Sequence, residues 1–579
     1  MYLLARFCLQ LAIGCILYCV LMFMLLSWPY SIVCLLIIAA AARRKSRRQP
    51  TTLGSARFAD ESELRAAGMI GGDRGLILGH ILAGPKKRLS VARLFSPFCS
   101  SQEACGQLAT LFTRRRVELV RLRDAVHTAV FIPTGGGKSS GFVAQSLYDC
   151  DESTVCVDPT GQMATLTAEY RAKEFGHEVR ICDPFGVITS NSDSLNPIDF
   201  IKADSRFALD ECIELANSLV VREPGAKEPH WDDSAELWIA AVIAVVVRYG
   251  EENGLRSIQT VRDIFSKSES LSMAIRSMRE STAWEGMLAR MGGQLEHFVD
   301  RELASTLTTV SRHMRIFDSP AIAATTRKSS FDPDRLNNGK MTVYLILPPD
   351  KLKSHGRLLR MQIGSLMRAV VRRGVDLRRR VHFILDEAAS LGQMDAIDDA
   401  LDKYRNFGIR MQMYYQSIGQ LKTCFKEGKD LALFSNTSQV FAATNDHQTA
   451  ELISSRLGEY TAIVSSGGSS EGETFQYSNG VQANSSRSWS LNTNSGWTQQ
   501  ARKLLKPEEV VALPQNLAIT FTPGMRPIWT KVIKYFESPQ TRKRPSRRKS
   551  WWEASKTLLM AFVIFLFSFT VAAIITYSV

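Results

Sequence analysis

Apolar positions fall into three patterns along this chain. From Leu3 to Ala42 the sequence is almost continuously apolar, broken only at Ser27-Trp28-Pro29-Tyr30, and Thr557 to Val579 is a second such stretch. Between them lie short apolar runs: Ala129–Ile132, Thr154–Val157, Glu178–Cys182, Met341–Leu347, Val381–Leu385 and Met411–Tyr415. Runs of this length, separated by helix-length segments, predict a parallel sheet with helices on its faces. The third pattern occupies 205–330, where Ala208–Val221, Ala235–Val247 and Leu271–Leu288 have helical spacing and strand candidates are few. That region reads as an all-α domain inserted into an α/β nucleotide-binding domain.

The two ends read as membrane segments. Residues 1–42 divide into a hairpin of two spans, Leu9–Leu26 and Ile32–Ala42, with Trp28-Pro29-Tyr30 as the interfacial turn; a single kinked span is the alternative. Thr557–Val579 matches one bilayer thickness, and Trp551-Trp552 precedes it. Charge supports this layout. The net charge is +14, but Arg43, Arg44, Lys45, Arg47 and Arg48 supply five cations, and Arg542, Lys543, Arg544, Arg547, Arg548 and Lys549 six more. Without those eleven the remainder carries +3. Cations beside apolar spans set topology and touch lipid before they imply nucleic acid, and they keep 43–550 in the cytosol. The eleven cysteines include no CxxC, and Cys150 and Cys156 have no His or Cys at zinc-ligand spacing in the chain. A reducing compartment follows.

Three further stretches carry weaker signals. Residues 50–125 mix turn signals with short apolar runs such as Leu76-Ile77-Leu78, predicting small strands. Arg114, Arg115, Arg116, Arg121 and Arg123 read as a solvated helix face or a DNA-facing helix. Residues 464–498, rich in Ser, Gly and Asn, read as an exposed loop. Ala518–Phe521 and Ile528–Ile533 then predict a closing hairpin around Pro523-Gly524.

The candidate chemistry sits at the ends of the apolar runs. After Ala129–Ile132 come Pro133, Thr134, Gly135, Gly136, Gly137, Lys138, Ser139 and Ser140. Glycines let backbone N–H groups close on phosphate oxygens, the lysine reaches the β/γ-phosphates, and the Ser139 hydroxyl can bind Mg²⁺. The full template places glycine where this chain has Ile132, so the match is to the GK[ST] core. Val381–Leu385 ends in Asp386-Glu387, the carboxylates a P-loop ATPase needs to hold Mg²⁺ and to deprotonate the attacking water. Gln416 ends the next strand and reads equally as a γ-phosphate contact or a strand cap. Arg405 and Arg410 precede that strand and read equally as solvated arginines or as one that stabilises transition-state charge at a subunit boundary.

With these residues in place the chain resembles the type IV secretion coupling proteins, the membrane ATPases of conjugative DNA transfer. The resemblance covers most of 50–536. It rests on Pro133–Ser139, Asp158-Pro159, Leu195-Asn196-Pro197, Pro229-His230-Trp231, Leu385–Gly392, Tyr404–Arg410, Gln416–Leu421 and Leu504–Val510 before Leu513-Pro514. It implies a RecA-like P-loop nucleotide-binding domain (50–204 and 331–536), an inserted all-α domain (205–330), a basic juxtamembrane run (542–549) and a hexameric ring in the bacterial inner membrane. It also implies ATP and Mg²⁺ as cofactors, with Lys138 and Ser139 binding nucleotide and metal and Asp386 and Glu387 as metal-binding and catalytic carboxylates. Gln416 becomes a sensor and Arg405 a finger from the neighbouring subunit. The implied partners are secretion-channel components and a relaxase with single-stranded DNA, with protein effectors as alternative cargo; a nucleotide-dependent scaffold that moves nothing is a further alternative. The chain departs from the family at Thr160-Gly161-Gln162, where Lys-Gly-Glu is usual, in its short N-terminal hairpin turn, and in its C-terminal span.

Overall fold

The computed structural model describes residues 52–72, 75–82, 118–122, 127–222, 228, 230–252, 254–425, 429–476 and 486–537. The apolar ends, both basic runs, Pro229, Arg114, Arg115, Arg116 and Arg123 lie outside the described residues. Among those described, no helix is long and apolar enough to cross a membrane.

The chain forms two compact units. The larger contains a mixed sheet of eleven strands. They are β1 (Leu76–Ile81), β2 (Leu119–Leu122), β3 (His127–Phe131), β4 (Ser153–Val157), β5 (Glu178–Cys182), β6 (Met341–Leu345), β7 (Val381–Leu385), β8 (Ile409–Tyr415) and β9 (Thr437–Ala442), followed by the last two members defined below. Seven run parallel in the order β9-β3-β8-β7-β4-β6-β5. Every residue of β3, β4, β6 and β8 is buried, as expected of strands covered on both faces. This places β8 between the strand that enters the glycine loop and the strand that ends in Asp386-Glu387.

Helix α1 (Ala144–Asp149) follows the glycine loop, and α2 (Gln162–Phe175) joins β4 to β5. Among the described residues, seven α-helices stand between β5 and β6: α3 (Ala208–Leu219), α4 (His230–Tyr249), α5 (Ile258–Ser266), α6 (Ser268–Arg279), α7 (Met287–Leu295), α8 (Asp300–Met314) and α9 (Pro320–Thr326). Their packing centres on α4, whose Ala235–Val247 stretch is buried except for Glu236 and Leu237 and carries the fully buried Trp238. The continuous helix expected over Leu271–Leu288 is broken. Trp284 and Glu285 adopt left-handed φ of 49° and 56° while the Trp284 indole N–H donates to Ala203 O at 2.9 Å. That tertiary anchor overrides a periodicity that continues across it. Helix α10 (Pro349–Arg372) then returns the chain to the sheet, α11 (Asp395–Asp402) precedes β8, and α12 (His447–Leu457) follows β9.

In the smaller unit, residues 464–476 and 486–498 are not a loop. They lie within β10 (Glu459–Gln476) and β11 (Ser486–Lys503), antiparallel strands in continuous register from Glu459 opposite Lys503 to Gln476 opposite Ser486. The ladder is a main-chain structure, so Ser/Gly/Asn-rich sequence can form it without the apolar alternation that announces a strand.

The closing hairpin forms as expected. β12 (Leu517–Phe521) pairs antiparallel with β13 (Ile528–Lys531), and Gly524 at φ 75° turns the chain between them. β12 also pairs with β9, and β13 with β1, so the early strands β1 and β2 extend the same sheet. Arg121 lies on β2, neither on a helix nor solvated. It is buried, and its guanidinium makes a two-pronged ion pair with Asp149, one contact at 2.9 Å, and donates to Gly75 O at 3.3 Å.

Candidate functional site

The carboxyl ends of the parallel strands open on one edge, where open α/β sheets bind ligands. Ile132 directly follows the entering strand β3 and continues its pairing with β8: its N–H donates to Tyr415 O at 2.8 Å and it is buried. Gly135 and Gly137 have φ of 81° and 88°. A Cβ at Gly136 would stand 2.6 Å from Ile132 Cγ2 and 3.0 Å from Ala443 Cβ, so the loop closes there only around glycine. Thr134 and Gly135 are exposed, and Lys138 to Ser140 are half-buried where the chain enters its helix. That helix opens as a π-turn over Ser139–Val143 before becoming α1, a wide turn common at functional sites. Ser140 Oγ donates to Gly137 O at 3.4 Å.

Lys138 reaches across to β7. Its Nζ donates to Asp386 O at 2.5 Å and lies 3.3 Å from Asp386 Oδ1 and 3.2 Å from Glu387 Oε2. Gln416 Nε2 donates to Glu387 Oε1 at 3.3 Å, so β8 and the glycine loop hold the two oxygens of one carboxylate. The turn carrying Glu387 is itself fixed by Ser390 Oγ donating to Glu387 O at 2.7 Å. Asp386 is buried, and its Oδ1 has the Lys138 contact but no hydrogen bond. Burial raises its pKa; Lys138 opposes this, while the charges of Asp158 and Glu387 reinforce it. A buried carboxylate with a spare oxygen, a hydroxyl at Ser139 and a glycine cradle fit a nucleotide with a divalent cation.

The chain reading missed two contributors. Asp158, buried at the end of β4, accepts from Ala164 N at 2.8 Å and so caps the start of α2. Burial raises its pKa also. Beside it, Gly161 turns at φ 70° and Thr160 Oγ1 donates to Asp158 Oδ1 at 3.4 Å, so neutral groups close the turn at Thr160-Gly161-Gln162. The second contributor is Arg360 on α10. Buried, it donates to Ser218 O at 3.2 Å and Val220 O at 3.4 Å near the end of α3, and to Leu391 O at 2.9 Å and Gln393 O just beyond Glu387.

Arg405 does not join this cluster. It is exposed on a turn before β8, at the opposite edge, where its charge and that of Arg410 act on His127 at the start of β3. Seven strand residues separate it from Gln416, about 20 Å of extended chain.

The family described as Type IV secretory system Conjugative DNA transfer matches residues 58–557. The type IV secretion system-coupling protein VirD4 of Bartonella quintana (strain Toulouse) is 27% identical over 421 residues, covering 71% of this chain and 63% of its own length. The conjugal transfer protein TraG of Rhizobium radiobacter is 26% identical over 412 residues, 69% of this chain and 61% of its own. The match thus spans under two thirds of these relatives. Among solved structures, the plasmid coupling protein TrwB in complex with ADP and Mg²⁺ superimposes with a TM-score of 0.51 at 16% identity, covering 81% of this chain and 98% of that one. TrwB in complex with the GTP analogue GDPNP gives 0.51 at 17%, covering 80% and 97%. The fold is therefore TrwB-like, and the chain belongs to the type IV secretion family of conjugative DNA-transfer coupling proteins.

Proposed function

We propose that this chain is an inner-membrane ATPase that couples a relaxase–single-stranded DNA complex to a type IV secretion channel and drives its transfer. The observation that carries the reading is Glu387, held between Lys138 at 3.2 Å and Gln416 at 3.3 Å beside the buried Asp386. Thr134 to Ser140 cradle the phosphates, and Lys138 turns from the carboxylates toward them. Ser139 and Asp386 hold Mg²⁺, which supplies charge neutralisation for phosphoryl transfer. Glu387 accepts the proton of the attacking water on a carboxylate oxygen, and Gln416 orients that water. Arg405 enters the site of the next subunit in a ring, a hexamer in this reading. The catalytic unit is a RecA-like domain (50–204 and 331–536), the helices of 205–330 form the inserted domain that meets cargo, and the terminal spans moor the chain to the membrane. TrwB, which has been solved with nucleotide, supports the chemistry by its likeness.

The test is hydrolysis of ATP by the full chain in detergent, with and without single-stranded DNA. Glu387→Gln is expected to lose 10²–10⁴-fold in rate, on the order of a general base, while still binding ATP. A rate equal to wild type would remove Glu387 from its role.

A further inference from the structure

Cysteine spacing along the chain showed no metal site, but the fold assembles a set of ligands that the spacing could not reveal. Cys150 follows α1 and Glu152 precedes β4; His382 is the second residue of β7, where the register sets it opposite Thr154. One ligand atom from each of Cys150, Glu152 and His382 lies within 4.8 Å of the other two. His382 Nε2 and Glu152 Oε2 are 2.6 Å apart. All three residues are half-buried, neither sealed in the core nor fully solvated.

We propose that Cys150, Glu152 and His382 bind one zinc-class divalent cation at the sheet edge opposite the glycine loop. The donors are one sulfur, one nitrogen and one oxygen, a mixture that suits zinc and leaves a fourth, tetrahedral position for water. Zinc–ligand bonds of about 2.0–2.3 Å place tetrahedral donors roughly 3.3–3.7 Å apart. Glu152 and His382 would open slightly from 2.6 Å to meet that spacing, with Cys150 already within 4.8 Å of both. The main chain beneath the ligands is already fixed. The buried Arg171 guanidinium donates to Cys150 O at 2.7 Å and Glu152 O at 2.9 Å. Its positive charge and that of Arg410, which the β7–β8 register sets opposite His382, oppose a cation, and the carboxylate and thiolate balance the two. The ion would tie β7 to the segment between α1 and β4, on the side where Arg405 stands.

Cobalt(II) is the probe, because a thiolate ligand gives it a charge-transfer absorption band that oxygen ligands do not. The full chain, stripped with chelator and desalted, is titrated with Co²⁺. One equivalent is expected to develop the band, and one equivalent of Zn²⁺ to bleach it. Cys150→Ser should abolish the band, Glu152→Gln should weaken Co²⁺ binding about tenfold or more, and Lys138→Ala should change neither. If Cys150→Ser proves misfolded by circular dichroism, Glu152→Gln decides. No band, a band that survives Cys150→Ser in folded protein, or wild-type affinity in Glu152→Gln would each overturn the site and leave a plain His–Glu ion pair.

Discussion

His127 shows how much one buried side chain can demand of the solution around it. It is buried at the first position of β3, accepts from Met411 N at 3.2 Å through Nδ1, and leaves Nε2 without a partner. Burial, aided by the charges of Arg410 and Arg405, lowers its pKa to about 3. The folded state therefore binds fewer protons here than the unfolded one, whose histidine titrates near 6.5. The contribution is intact above pH 6.5 and is lost as pH falls toward 3; at pH 5 the loss is about 2 kcal/mol. Denaturant melts at pH 7.5 and pH 5 check this. The stability difference should shrink by that amount in His127→Asn, and an unchanged difference would assign the pH effect elsewhere. Such residues also mark the limit of sequence reading. Asp386, Glu387 and Gln416 were legible because they follow the ends of apolar runs, and Lys138 because it follows the glycine loop that such a run enters; a strand end fixes which edge a side chain occupies. Asp158 also ends such a run, but its partner is the helix start that it caps, and nothing in its spacing announces that. His382 and Cys150 were illegible because 230-odd residues separate groups that the β4–β7 register brings together.

At the scale of elements, the sheet followed from periodicity and the connections did not. β4, β5 and β7 lie where their apolar runs predicted, whereas the break at Trp284 and the β10–β11 ladder depend on main-chain and long-range bonds that leave no trace in hydropathy. Arg360 is the clearest case of a link between elements. Its one side chain serves four carbonyls, two near the end of α3 and two beyond Glu387, and burial lowers its pKa to about 10. Arg360→Met should cost about 3 kcal/mol of stability, since several buried carbonyls lose their donor at 1–3 kcal/mol each. Because two of those carbonyls follow the Glu387 turn, kcat should fall more than the KM for ATP rises. Equal losses in both would make Arg360 a stability residue alone.

At the scale of the whole molecule, Lys138, Asp386, Glu387 and Gln416 meet at one edge of the sheet and Arg405 stands at the other. In the ring proposed above, that division makes each site depend on two subunits, and mixing inactive variants tests it. Arg405→Ala and Glu387→Gln, each inactive alone, should together recover part of the ATPase rate. Recovery requires interfaces that pair an intact Glu387 with an intact Arg405. A mixture no more active than its parts would place Arg405 outside the neighbour's site.

β8 gives this layout a mechanical consequence. It is hydrogen-bonded along its length to β3 on one side and β7 on the other, and it is buried throughout. A strand clamped on both flanks cannot stretch or slide by a residue without inverting its faces, so it moves only as a rigid rod with its neighbours. Gln416 at one tip holds Glu387, while Arg405 stands exposed on the turn before the other tip. Loading in one subunit would thus set the pose of the arginine offered to the next. Turnover would then pass around the ring in sequence, with β8 setting the phase between neighbours.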